Sequence, residues 1–257
     1  MKILIVNADD YGRTPNVSRG IRDAHLHGLV TSTTAMMNMP NVDADLQAAR
    51  EHCPGLGLGV HLTLTAGAPV LPASQVNTLV TSDGRFLSLS QLLSRIDEID
   101  LTHIRAEWHA QIEKFHAFAG RPPDHLDSHH HTSYLTPAIF ETMLELAAEY
   151  RCAIRSILAE RDLDPPYALP VPHPDKLITS FYDQDATREH LMAVLTQLSQ
   201  GVSELMCHPG YSDDELMRGS SYNLQREREL QLLTDPEIKN SLETFGIELR
   251  SFDLFQT

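Results

Sequence analysis

Acids and imidazoles recur at the ends of short apolar runs in this chain: Asn7-Ala8-Asp9-Asp10, Gly59-Val60-His61 and Asp127-Ser128-His129-His130-His131. Groups so far apart meet only if the fold gathers the ends of those runs. A parallel sheet does this, because the carboxyl ends of all its strands open onto one face. Two adjacent aspartates and two distant histidines, once gathered, suit one divalent metal and one general base. The chemistry of such a site is metal-assisted hydrolysis.

Each group also has a plainer structural use. Asp9 and Asp10 divide the labour of cation binding and proton transfer, or else cap a polar turn. His61 is a ligand or a hydrogen-bonded core residue. In extended backbone Asp127, His129 and His131 share one face and His130 the other, so His129 can ligate a cation while its neighbours orient it or touch substrate. His208, in Cys207-His208-Pro209-Gly210 at another strand exit, is either a group that protonates a leaving group or a buried histidine held by hydrogen bonds. Arg155 and Tyr211 are substrate-binding candidates beside His131, although a salt bridge would serve Arg155 equally well. Tyr134, Trp108 and Tyr167 offer further faces for a sugar, or packing surface. The run Gly55-Leu56-Gly57-Leu58-Gly59 leads into a strand rather than a helix, which excludes a dinucleotide loop. No G-x-S-x-G elbow is present, and nothing activates Cys207 as a nucleophile.

The elements that must position these groups alternate. Apolar runs at 2–6, 30–37, 56–64, 125–127, 152–155, 177–181, 204–207 and 247–252 supply about eight strands, the number a (β/α) barrel requires. Helical spacing fills 17–27, 42–52, 102–119, 137–150, 187–198 and 236–245, with Pro137 after Thr136 and Pro236 after Asp235 marking two helix starts. The whole chain, 1–257, reads as a single α/β domain. Residues 66–100 form an excursion above the barrel mouth, and residues 164–174 form a Pro-rich loop.

The formal net charge is −15, with 20 basic and 35 acidic residues, which argues against nucleic acid and against an anionic membrane as partners. Three cysteines with no C-x-x-C pair fit reduced thiols in a cytoplasmic protein. No stretch approaches membrane-spanning length.

Four dispersed motifs give the chain a specific likeness: Ile5-Val6-Asn7-Ala8-Asp9-Asp10-Tyr11-Gly12, Gly59-Val60-His61-Leu62-Thr63-Leu64-Thr65, His125-Leu126-Asp127-Ser128-His129-His130-His131 and Met206-Cys207-His208-Pro209, supported by Val30 to Ala35. In these residues the chain resembles the YdjC-like carbohydrate deacetylases. The resemblance implies a deformed (β/α) barrel of the glycoside hydrolase/deacetylase type. It also implies magnesium, or another divalent ion such as zinc, held by Asp10, His61 and His129, with Asp9 as base. The implied reaction removes N-acetyl groups from short N-acetylglucosamine oligosaccharides, some of them phosphorylated in other family members. Tyr11 stands where the family commonly has Phe, and Ser133 where it often has a further histidine. A metal-dependent phosphoesterase and a catalytically silent sugar-binding protein are the alternatives, and a homodimer is compatible with either.

Overall fold

The computed structural model describes residues 1–156 and 171–256; residues 164–170 of the expected Pro-rich loop, with Tyr167, lie outside them. Among the described residues, eight strands form one sheet: β1 (Lys2–Tyr11), β2 (Ser32–Ala35), β3 (Gly57–Leu62), β4 (His125–Ser128), β5 (Ala153–Ile154), β6 (Lys176–Ile178), β7 (Gly201–Cys207) and β8 (Ile247–Leu249). Every ladder is parallel. All strand exits therefore open on one side.

The order is β5-β4-β3-β2-β1-β7-β6. At its centre, β1 pairs with β7 along one edge, while β8 and β2 share the other: Lys2 to Leu4 face β8, and Asn7 to Tyr11 face β2. The sheet curls, and among the described residues no ladder joins β5 to β6. There, among the described residues, a backbone bond from the Ile154 N–H to the Pro172 carbonyl (3.0 Å) spans the gap. The result is the deformed barrel, an open one.

Local sequence explains the helices. In α1 (Pro15–His27), α5 (Pro137–Tyr150) and α9 (Pro236–Phe245), proline follows a capping Thr14, Thr136 or Asp235 whose side chain accepts an N–H of the first turn. The chain also forms α2 (Val42–His52), α3 (Leu89–Ser94), α4 (Leu101–Ala119), α6 (Arg188–Thr196), α7 (Asp214–Gly219) and α8 (Leu224–Leu233). Gly120 ends α4 in the left-handed conformation, φ 68°.

The 66–100 excursion is tied down rather than loose. Val76, Leu79, Phe86, Leu87 and Leu92 are buried in the main core. Buried Glu107 of α4 accepts the N–H groups of Val70 (2.8 Å) and Leu71 (3.0 Å). These bonds satisfy a carboxylate that would otherwise be costly inside the protein.

Beneath the strand exits, β3 and β4 approach so closely that only glycine fits at Gly59. A Cβ there would meet the His125 ring at 2.5 Å and the His125 carbonyl at 2.6 Å. His125 cannot retreat, because it stacks on Phe252 at 3.7 Å. Gly59→Ala is expected to cost about 1–3 kcal/mol. Thermal denaturation should register this as a loss of roughly 3–10 °C in Tm.

Candidate active site

Adjacent residues of a regular strand point to opposite faces, so Asp9 and Asp10 should not both reach one site. The backbone solves this with a kink. Asp10 is left-handed, φ 69°, where the register between β1 and β2 shifts between Ala8 and Tyr11. Both carboxylates consequently line the same cavity, about 1250 Å³ in volume.

Asp10 Oδ1 lies 3.1 Å from His129 Nδ1 and 3.3 Å from His61 Nε2, and the two ring nitrogens are 3.3 Å apart. All three residues are buried, and no well-aligned hydrogen bond reaches Oδ1. His61 is held from behind, its Nδ1 2.7 Å from Asp127 Oδ1. Thr34 Oγ1 donates to Asp127 Oδ2 (3.0 Å) and so fixes that carboxylate in turn. A carboxylate behind an imidazole whose other nitrogen faces a shared point is the arrangement of a metal ligand with its supporting shell. The donors fit one cation.

The histidine triple follows the expected extended path only as far as Ser128. His130 (φ 56°) and His131 (φ 53°) then turn left-handed, so the alternation that would have put His129 and His131 on one face does not exist. His129 reaches the cluster. His130 turns to Thr65 Oγ1 (2.9 Å), while His131 lines the cavity, its Nδ1 without a hydrogen-bond partner among the described residues.

Asp9 meets a guanidinium. Arg155 is fully buried, and its Nη1 and Nη2 donate to the two oxygens of Asp9, each at 2.7 Å. Its Nη1 also lies 3.0 Å from Asp127, and its Nε donates to Glu204 at 2.7 Å. Every side-chain nitrogen of Arg155 faces a carboxylate and the residue is absent from the described cavity lining, so the salt-bridge alternative is the one seen here. Tyr211 is likewise absent from the described cavity lining: its hydroxyl donates to Asp23 (2.8 Å) and Arg19 covers its ring at 4.5 Å.

His208 Nε2 stands 3.8 Å from Asp9 Oδ2. Its ring meets Tyr182 and Tyr222 edge-on, each at 5.5 Å, and those two tyrosines stack on each other at 4.4 Å. Three contributors had no apolar signal in the sequence: Tyr222, Arg226 and Glu229, from α8 and the turn before it. Arg226 pairs with Asp10 Oδ2, and Glu229 accepts the Tyr222 hydroxyl and the His208 N–H. Their charged setting, Gln225-Arg226-Glu227-Arg228-Glu229, reads as a solvated face.

The electrostatics follow the packing. Burial, the largest single influence, would raise the Asp9 and Asp10 carboxyls, but Arg155 with His61 and His208 at Asp9, and Arg226 with His129 and His61 at Asp10, together outweigh it and hold both well below the usual range. Burial opposes a charge on His61, yet Asp127 and Asp10 push it up to about 10. A cation held through His61 Nε2 would have to displace that proton. His208 is pushed down to about 4 by burial, against the pull of Asp9, and burial raises Glu229 to about 7. Burial also pushes the thiol of Cys152 up to about 12 and that of Cys207 well above its ordinary value, so neither is a nucleophile.

A curled parallel sheet with an Asp–His cluster at its strand exits places the molecule among the deformed (β/α) barrels of the glycoside hydrolase/deacetylase type. More narrowly, the chain belongs to the YdjC-like protein family, whose model matches residues 3–244. It is 37% identical to a carbohydrate deacetylase of Thermoanaerobacter pseudethanolicus, with 100% of both chains covered. It is 34% identical to a chitooligosaccharide deacetylase of Yersinia enterocolitica over 98% of each chain. A crystal structure of an Enterococcus faecalis V583 protein, described as a candidate cellobiose-phosphate cleavage protein, superposes with TM-score 0.92 at 37% identity and 98% coverage of each chain. A family 4 carbohydrate esterase from Streptomyces lividans shares the fold at 12% identity, TM-score 0.55, covering 97% of this chain and 91% of its own.

Arg155 neutralises three buried acids, so Arg155→Met should leave them uncompensated. A loss of about 3–5 kcal/mol in urea unfolding is expected at neutral pH.

Proposed function

We propose that this protein is a metal-dependent carbohydrate N-deacetylase acting on short N-acetylglucosamine oligosaccharides. The observation that carries the reading is the convergence of Asp10 Oδ1, His61 Nε2 and His129 Nδ1 within 3.3 Å of one another, beside Asp9 and His208. The names of the two deacetylase relatives support the reaction class and the sugar. A cavity larger than a usual small-ligand pocket, with the half-exposed Tyr182 ring on its wall, supports a substrate of more than one sugar unit.

A divalent cation held by Asp10, His61 and His129 supplies Lewis acidity toward an acetyl carbonyl and a water molecule. Two imidazoles and one carboxylate form a donor set that suits zinc or a similar transition ion better than magnesium, which prefers oxygen. Asp9 takes the proton of the attacking water. Its Oδ1 already accepts from Arg155 and Asn7, so the receiving atom is Oδ2, which has one lone pair open on the His208 side. His208 is neutral at neutral pH and must gain the proton it later gives to the departing amine. Asp9, 3.8 Å away, is the donor within reach.

A two-ion phosphoesterase fits less well. The second cluster of possible ligands, Asp9, His61 and Asp127, already has the Arg155 guanidinium bound to two of its members. The cytoplasmic reading rests on three free, buried cysteines, and among the described residues no helix is long and apolar enough to cross a membrane.

Acetate release from N,N′-diacetylchitobiose, with metal content measured in parallel, tests the assignment. Asp9→Asn should keep the metal and lose about 10²–10⁴ in kcat, whereas His61→Ala should lose both. Binding of the sugar without acetate release in metal-loaded protein would instead identify a silent sugar-binding protein.

A further inference from the structure

Two buried arginines face this site, and they are used differently. Arg155 spends all three of its nitrogens on carboxylates. Arg226, 2% exposed, pairs its Nη2 with Asp10 Oδ2 and donates Nε–H to the Tyr222 carbonyl (3.1 Å), but among the described residues its Nη1 has no hydrogen-bond partner. A buried N–H without an acceptor costs stability, so fold maintenance alone is a poor reason for this arginine. Its salt bridge is to one carboxylate, Asp10, whose two oxygens are thereby made unequal, although its charge is also felt at Glu229. Oδ2 is engaged by the guanidinium, and Oδ1 is left open toward His61 and His129.

We propose that Arg226 tunes the cation site by holding Asp10 to ligation through one oxygen and keeping a competing positive charge on the same carboxylate. The inference rests on the cation reading of the site given above. Two consequences oppose each other. A cation gains less from Asp10 than it would from a free, two-oxygen carboxylate, so it binds more weakly than the three donors allow. The charge Asp10 does not give to the cation is charge the cation can still draw from a substrate oxygen, so Lewis acidity is kept at the expense of affinity.

Arg226 is well placed for such a role because α8 is anchored at the same point. Its Glu229, one turn further on, accepts the His208 N–H, and the Arg226 carbonyl accepts the Gly210 N–H at 3.2 Å. The position of Arg226 is therefore coupled to the loop that carries His208. As a positioning residue it acts on the reaction through Asp10.

Isothermal titration of metal-free protein with Zn²⁺ or Mn²⁺ at fixed pH separates this role from simple support. Arg226→Met should tighten the cation Kd about tenfold while lowering kcat for acetate release at least tenfold, with KM little changed. Arg226→Lys, which keeps the charge, should hold the Kd within about threefold of wild type. Arg226→Gln, which keeps a hydrogen bond to Oδ2 and drops the charge, takes the place of the Met variant if that one does not fold. Weaker or unchanged cation binding in the Met or Gln variant overturns the inference and leaves the cation site standing. Failure of the wild-type protein to bind either ion removes the cation reading itself.

Discussion

The constraint that organises this molecule is the burial of several carboxylates at one end of one sheet. Asp9, Asp10, Asp127, Glu204 and Glu229 are all 3% exposed or less. Uncompensated, such a cluster would take up protons or unfold the barrel mouth. The chain answers with cations of fixed position. Arg155 reaches Asp9, Asp127 and Glu204 from below, and Arg226 reaches Asp10 from the side. Among the described residues, Asp10 Oδ1 and Glu204 Oε2 are the oxygens of this set with no well-aligned hydrogen bond, and of the two residues Asp10 is the one that lines the cavity. Site and stability are therefore one problem, since the groups that bind a cation are the groups whose charge the fold must manage.

Geometry comes from rigid elements. Asp9 and Asp10 lie on the central strand, paired along both of its edges, and His61 lies on β3. His129 follows directly after β4. Parallel pairing fixes these ends relative to one another, as with His61 opposite Asp127 across β3 and β4. Within that frame a single left-handed residue, Asp10, aims two neighbouring acids into one cavity. Strain at a strand exit serves the site here rather than the fold.

How far the sequence foretold this depends on what kind of signal each part leaves. Strands and most helices announce themselves by apolar periodicity and by caps, so α2, α5 and α9 begin and end where their spacing and prolines put them. The acids at 9–10 and the imidazoles at 61 and 129 drew notice by their places at strand exits, and the family resemblance singled out Asp10, His61 and His129 among them as ligands. Backbone conformation left less trace. Nothing in three consecutive histidines foretells two left-handed residues, and an extended path put His131 beside His129. Charged helices left least: Arg226 and Glu229 are buried through contacts made across more than 200 and about 20 residues of chain, respectively. Arg155 was ambiguous because one side chain serves equally well on a substrate or on buried acids, and only its surroundings decide.

The central claim is that Asp10, His61 and His129 hold one divalent ion between them. Anomalous diffraction from crystals of the protein soaked in Mn²⁺ measures this most directly. The account predicts one strong peak within bonding distance of Asp10 Oδ1, His61 Nε2 and His129 Nδ1. A peak coordinated by other residues, a pair of peaks spanning Asp9 and Asp127, or none at all in well-soaked crystals would contradict it.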